Sequence, residues 1–129
     1  MSGFLAFDWL LRSARRRKRE AALRQAKTWP VLTAKLLGST VVPKDSFAEA
    51  GSVYQNFQIE SAFYFTLDGG YFGGHLRSVP LSDSEAHRAI RDAKEDTIIQ
   101  VRYNPQNPDE NYTLAADNKD ILPFAVWSS

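Results

Sequence analysis

The 129-residue chain contains no cysteine, which excludes disulfide staples, thiolate zinc sites and thiol nucleophiles together. No run approaches the ~20 apolar residues that a spanning helix needs, so the chain is expected to lie on a membrane at most, not to cross one. A secretory signal carries its positive charge ahead of its apolar run. Here the short apolar run Phe4 to Leu11 comes first and the basic cluster follows, so a cytoplasmic location is expected. Neither a Gly-x-Ser-x-Gly elbow nor a phosphate loop is present. The glycines of Asp68-Gly69-Gly70-Tyr71-Phe72-Gly73-Gly74 are not followed by the Lys-Ser/Thr that would make a nucleotide cradle. Charged residues make up 24% and apolar residues 43%, the composition of one ordinary folded domain with a single core.

The net charge of +1 conceals a division. Residues 1–27 carry eight Lys or Arg against Asp8 and Glu20, a net of +6, while residues 28–129 carry eight against thirteen acids, a net of −5. An anionic partner therefore meets the N-terminal arm first. That arm has no proline and many good helix formers, and Trp29-Pro30 supplies a stop, because the residue before proline avoids the α region. The expected helix runs from about Gly3 to Lys27. At 100° per residue its apolar stripe is Phe4, Phe7, Leu11, Ala14 and Ala22, with Leu10 and Ala21 beside it.

Beyond Pro30 the hydrophobic period changes from helical to two. Leu32, Ala34 and Leu36 alternate with Val31, Thr33, Lys35 and Leu37, and the strand is expected to extend through Val41-Val42. The segment from Pro43 to Ser52 reads as a polar excursion. Phe57, Ile59, Phe63, Phe65 and Leu67 then share one face of a long strand, with Gln58, Glu60, Ala62, Tyr64 and Thr66 on the other. Asp68-Gly69-Gly70 closes a hairpin, since both Asp-Gly and Gly-Gly supply positive φ cheaply; its return strand is Tyr71 to Val79. Gly73-Gly74 falls opposite large side chains, where a bulge or an aromatic ring packed over a glycine is expected. Ser82 and Glu85 have capping-box spacing ahead of a short helix, Asp83 to Lys94. A strand follows at Thr97 to Tyr103, then a turn segment Asn104 to Pro108, and a last paired strand at Tyr112-Thr113-Leu114. The apolar tail Ile121 to Trp127 is expected to pack back as an extended edge segment or to meet a partner.

This arrangement resembles domain of unknown function 3592 over about residues 28–115. The likeness is carried by Trp29-Pro30 opening a strand, Phe63-Tyr64-Phe65 before Asp68-Gly69, the intervening helix, and Val101-Arg102-Tyr103-Asn104-Pro105-Gln106-Asn107-Pro108 with Leu114. The resemblance implies a small bacterial β-rich domain of a kind that sits beside transmembrane helices; it implies no activity. Two departures stand out: spanning helices are missing on both sides, and Asp96 occupies a position where the family often has glycine. A basic apolar helix takes the place of the usual spanning segment.

The fold expected is α+β: a basic helical arm, residues 1–27, then a β-rich domain, residues 28–129. That domain is a curved, mostly antiparallel sheet or small open barrel of five to six strands with one inserted helix. Its core should comprise Phe57, Ile59, Phe63, Phe65, Leu67, Phe72, Leu76, Ile90, Ile99 and Val101. His75 and His87 match no metal motif, the acids are spread over turns and helix faces, and no residue is given a catalytic, metal or cofactor role. The candidate binding residues are Phe4, Phe7, Trp9, Leu11, Arg12, Arg15, Arg16, Arg17, Lys18 and Arg19, for an anionic membrane surface, a protein partner or a second copy of the chain. Basic residues beside an anionic bilayer contribute about 1 kcal/mol each, so six amount to ~6 kcal/mol before screening. The alternative is a single-stranded nucleic-acid binder that uses the arm with Tyr64, Tyr71 and Arg77, because aromatics beside a cation on a sheet stack bases. The negative charge of residues 28–129 weighs against it, and cross-strand pairing such as Glu60 with Arg77 accounts for the same residues.

Overall fold

The computed structural model describes residues 2–43 and 57–127; of residues 2–9 and Arg12 it describes the backbone alone. The expected polar excursion between the first two strands lies outside these residues. Helix α1 (Ser2–Ala26) ends where Trp29-Pro30 requires it to, with Thr28 and Trp29 amides closing back on the Gln25 and Ala26 carbonyls. Five strands follow: β1 (Val31–Pro43), β2 (Phe57–Leu67), β3 (Gly70–Arg77), β4 (Ile98–Asn104) and β5 (Asn107–Tyr112). Helix α2 (Asp83–Asp92) joins β3 to β4, and a 3₁₀ turn, Ala116–Asn118, follows β5. The sheet order is β3-β2-β1-β4-β5 with every pairing antiparallel. It curls until β3 and β5 approach each other, giving a nearly closed, barrel-like sheet.

Local chemistry accounts for the hairpin. Asp68 and Gly69 both have positive φ (50° and 81°), the two-residue turn whose twist matches its flanking strands. This sets Phe65 opposite Phe72 and Phe63 opposite Gly74. The Phe63 ring lies over Gly74, as expected of an aromatic packed on a strand glycine. A Cβ at Gly74 would stand 2.5 Å from Phe63 Cζ and closer still to Asn111 Oδ1.

In β1 the pairing with β2 slips between Leu36 and Gly38, leaving Leu37 as the extra residue of a bulge. The slip reverses the side-chain phase. Ala34 and Leu36 face the core before it, and Ser39 and Val41 turn to the inner side after it, opposite Ser61 and Ile59. The hydroxyls of Ser39 and Ser61 hydrogen-bond at 2.6 Å.

The capping box at Ser82 and Glu85 forms in full. The Ser82 backbone and hydroxyl, both hydrogen-bonded to this side of the helix start, hold the Glu85 carboxyl below the usual carboxylate range. Ala86 and Ala89 are the buried residues of α2.

The core is built from Ala34, Leu36, Ile59, Phe63, Phe65, Leu76, Ala89, Ile99 and Val101 together with Leu122, Phe124 and Val126 of the tail; Phe72 and Ile90 pack against it half-buried. Two expected core residues differ. Phe57 and Leu67 are only half-buried and lie outside the cluster, as the two end residues of β2. The tail does pack back: Val79 and Trp127 amides donate to the Ala125 and Arg77 carbonyls, continuing the edge beyond β3.

The last strand also differs from expectation. It is Asn107–Tyr112, not residues 112–114. Pro105 and Gln106 alone form the turn, with Asn104 Oδ1 accepting from the Gln106 amide. Pro108, Asp109 and Glu110 fall in a register shift between the pairs Asn104 with Asn107 and Tyr103 with Asn111. No ladder bond is demanded of Pro108 there, so proline is tolerated.

Candidate functional site

Among the described residues, helix α1 is fastened to the barrel through its last turns. Ala26 is fully buried and Trp29 nearly so, with the Trp29 ring stacked on Tyr112 at 5.9 Å. Arg102 secures the junction. Its Nε and Nη2 donate to the two oxygens of Asp117 at 2.8 and 3.0 Å, and its Nη1 donates to the Lys27 and Trp29 carbonyls at 3.1 and 3.0 Å. The planar fork suits both tasks at once, and it places a cation just past the C-terminus of α1, where it complements the helix dipole. Hydrogen bonding to Asp117 raises the Arg102 pKa further, and the same bonds hold the Asp117 carboxyl below its usual range. Asn118 completes the corner: its side-chain amide exchanges both hydrogen bonds with the Gln100 backbone, at 2.8 and 2.9 Å, and donates to the Leu114 carbonyl.

Farther up the helix, Arg19 stacks on Trp127, with its guanidinium carbon 4.7 Å from the ring centre. From Lys18 back to Leu10, the described side chains other than half-buried Ser13 are exposed. Leu10 and Leu11 are 52% and 42% exposed, and Ala14, Arg15, Arg16, Arg17, Lys18 and Arg19 are exposed. Phe4, Phe7, Trp9 and Arg12 belong to the same helix, but their side chains lie outside the described residues. The docked face is centred on Arg19, Leu23 and Ala26, about a quarter-turn around the helix from Phe4, Phe7 and Leu11, and meets the apolar stripe at half-buried Ala22. Of that stripe, Leu11 and Ala14 are exposed and Ala22 is half-buried.

The second candidate surface is the outer face of the hairpin. Tyr64 and Tyr71 stand 6.3 Å apart with tilted rings, and Tyr71 is 79% exposed. Arg77 lies at the opposite end of the ladder, paired in register with Glu60 and 3.5 Å from its carboxylate. The three residues share a face without forming one cluster. His87 is on the wet side of α2, its Nδ1 2.7 Å from the Asp83 carbonyl and 3.0 Å from that residue's carboxylate. His75 is on β3, and among the described residues no three His, Asp or Glu side chains converge on a common point.

Two clefts flank the docked helix. One, of about 720 Å³, lies between α1 and the 3₁₀ turn and is lined by Glu20, Leu23, Arg24, Lys27, Arg102 and Leu114–Asp117. The other, of about 210 Å³, lies over the seam between β3 and β5 and is lined by Arg19, His75, Arg77, Asn111, Tyr112 and Trp127, among others. Sequence patterns did not point to Arg102, Asp117 or Trp127. The first two are fifteen residues apart with no local motif joining them, and Trp127 lies in an aperiodic tail.

No family model matches the chain, and comparison with curated proteins and with solved structures finds no match. Among the described residues, no helix is long and apolar enough to cross a membrane, a statement that does not bear on β-barrels.

Proposed function

We propose that the chain is a bacterial, non-enzymatic interaction module, peripheral to the cytoplasmic face of the inner membrane, which its basic N-terminal helix engages. The observation that carries this reading is the stretch of α1 before Arg19, where exposed Leu10 and Leu11 precede four consecutive exposed cations, Arg15 to Lys18. Apolar side chains entering a lipid interface beside head-group-facing arginines are what interfacial binding requires. The likeness of residues 28–115 to a β-rich domain found beside transmembrane helices supports the same placement. A protein partner or a second copy of the chain is the other occupant such an arm would take, and no cofactor enters the reading.

The test is sedimentation of the full chain with neutral and with phosphatidylglycerol-containing liposomes at low and moderate salt. Binding to the anionic vesicles alone is expected, weakened by salt and reduced by a Leu10→Gln/Leu11→Gln double variant. Equal binding to neutral vesicles, or none to either, would refute the reading. Single-stranded nucleic-acid binding is the alternative, favoured by the Tyr64–Tyr71 pair with its exposed Tyr71 and opposed by the net negative charge of residues 28–129. Trp9 emission separates the two: with Trp29 and Trp127 replaced by Phe, a blue shift with vesicles and none with oligonucleotide supports the membrane.

A further inference from the structure

The small cavity over the β3–β5 seam differs in kind from the larger clefts. Glu20 and Asp117 line the cleft beside α1, and Asp120 lines a third cavity under the C-terminal tail. The ionisable residues that line the seam cavity are Arg19, His75, Arg77 and Tyr112, and it has no carboxylate in its wall. Such a site attracts an anion and is closed to a cation.

Its geometry narrows the anion further. Arg19 is stacked on the Trp127 indole, so the faces of the guanidinium are taken up by the ring while its N–H edge stays free to donate. Arg77 approaches from β3. Glu60 reaches Arg77 at Nε over 3.5 Å, longer than the 2.7–2.9 Å of a charge-assisted hydrogen bond, and so competes weakly for it. Two guanidinium-bearing residues and a histidine around one small cavity offer more donors than a single carboxylate needs and suit the several oxygens of a tetrahedral phosphate. The volume of about 210 Å³ is the liquid share of about seven waters. It holds a phosphate with a few carbons and is below the ~300 Å³ at which drug-sized ligands are bound.

We infer that this cavity, walled by Arg19, His75, Arg77 and Trp127, is a binding site for a small phosphate-bearing anion, either a lipid headgroup or a free phosphate ester. The inference deepens the membrane reading by giving the arm a headgroup site at its foot, and it rests on that reading only if the phosphate comes from a lipid.

The test is titration of the full, isotope-labelled chain with inorganic phosphate and with glycerol 3-phosphate, followed by ¹H–¹⁵N correlation spectra. Saturable shifts are expected at the Trp127 indole N–H and at the Asn111 and Arg77 resonances. Arg19→Gln should weaken binding by roughly tenfold or more, the effect of one lost charge-assisted hydrogen bond, while Arg88→Gln, which removes the same charge from the exposed side of α2, should leave it nearly unchanged. Absence of saturable shifts, or equal weakening by both variants, would overturn the site. Glycerol 3-phosphate competing the chain off phosphatidylglycerol vesicles assigns the site to a headgroup. Phosphate binding without vesicle binding assigns it to a free ester and retires the membrane reading alone. Vesicle binding that persists in Arg19→Gln with no phosphate shifts retires the cavity alone.

Discussion

Replacing Arg102 by Met keeps most of the aliphatic stem and removes four hydrogen bonds: two to Asp117 and one each to the Lys27 and Trp29 carbonyls. Truncating one partner of a buried pair costs about 3–5 kcal/mol, much of it from the charge left behind. Here the side chains of Arg102 and Asp117 retain 22% and 17% of their exposure, so water recovers part of that loss and about 2–4 kcal/mol is expected. For a chain of this length the melting temperature should fall by about 10 °C. Lys is no substitute, because a single ammonium cannot serve two carboxylate oxygens and two carbonyls in one plane.

A double-mutant cycle with Asp117→Asn, read by urea unfolding, isolates the pair, and a coupling of about 1–2 kcal/mol is expected. Hydrogen exchange then shows where the loss falls. The Thr28 and Trp29 amides, at the helix end that Arg102 secures, should exchange faster by a larger factor than the Phe63 amide in the core. A coupling below about 0.5 kcal/mol, or a uniform acceleration across all amides, would refute the view that Arg102 fixes the arm to the barrel.

Gly74→Ala should destabilise by about 1–3 kcal/mol through overpacking against Phe63 and Asn111, whereas Gly38→Ala, with open space around its position, should be neutral or stabilising by about 0.4–1 kcal/mol; thermal melts of both variants check the contrast. The Asp117 pKa is lowered on folding, so its contribution is complete above the ordinary carboxylate value of about 3.9 and is lost as pH falls through the lower folded value. Stability of the Asp117→Asn variant should therefore depend less on pH below about 4 than that of the parent, as measured by urea midpoints across the acid range. Ser82→Ala removes the N-cap acceptor of α2 and should cost about 1 kcal/mol. Phe63→Asp should abolish cooperative melting, since it places a charge in the core. Phe57→Asp, which the sequence alone would rank as equally damaging, should still melt cooperatively, because Phe57 is half-buried at a strand end.

Which parts of this were legible follows from how local their causes are. The Asp68-Gly69 turn, the Ser82–Glu85 capping box and the alternation of Ile59, Phe63 and Phe65 are each determined by a few adjacent residues, and each appears where the pattern predicts. The bulge at Leu37 is not written in its own segment, because Leu36-Leu37 offers two equivalent apolar choices and only pairing with Phe63 and Ala62 decides between them. For the tail the sequence leaves two destinations, an edge of the sheet or a partner, and the edge beyond Arg77 takes it. The helix was misleading for a physical reason. Its largest side chains lie near the N-terminus and dominate any apolar stripe, while docking depends on Leu23, Ala26 and the stacked Arg19 on another face. The Arg102–Asp117 pair and the seam cavity arise only when distant segments meet.

The irregular start of β5 bears on how the molecule behaves among other copies of itself. A sheet that stops short of closure leaves strand edges, and a bare edge recruits strands from neighbouring chains. Between Asn107 and Asn111 that edge has a proline, which has no amide hydrogen to offer, and two acids, Asp109 and Glu110, which repel an identical strand; the Asn111 side chain meanwhile donates to the Gly73 carbonyl across the gap. Incomplete closure is thereby made safe against edge-to-edge aggregation, and the seam can stay open at high protein concentration without seeding a growing sheet.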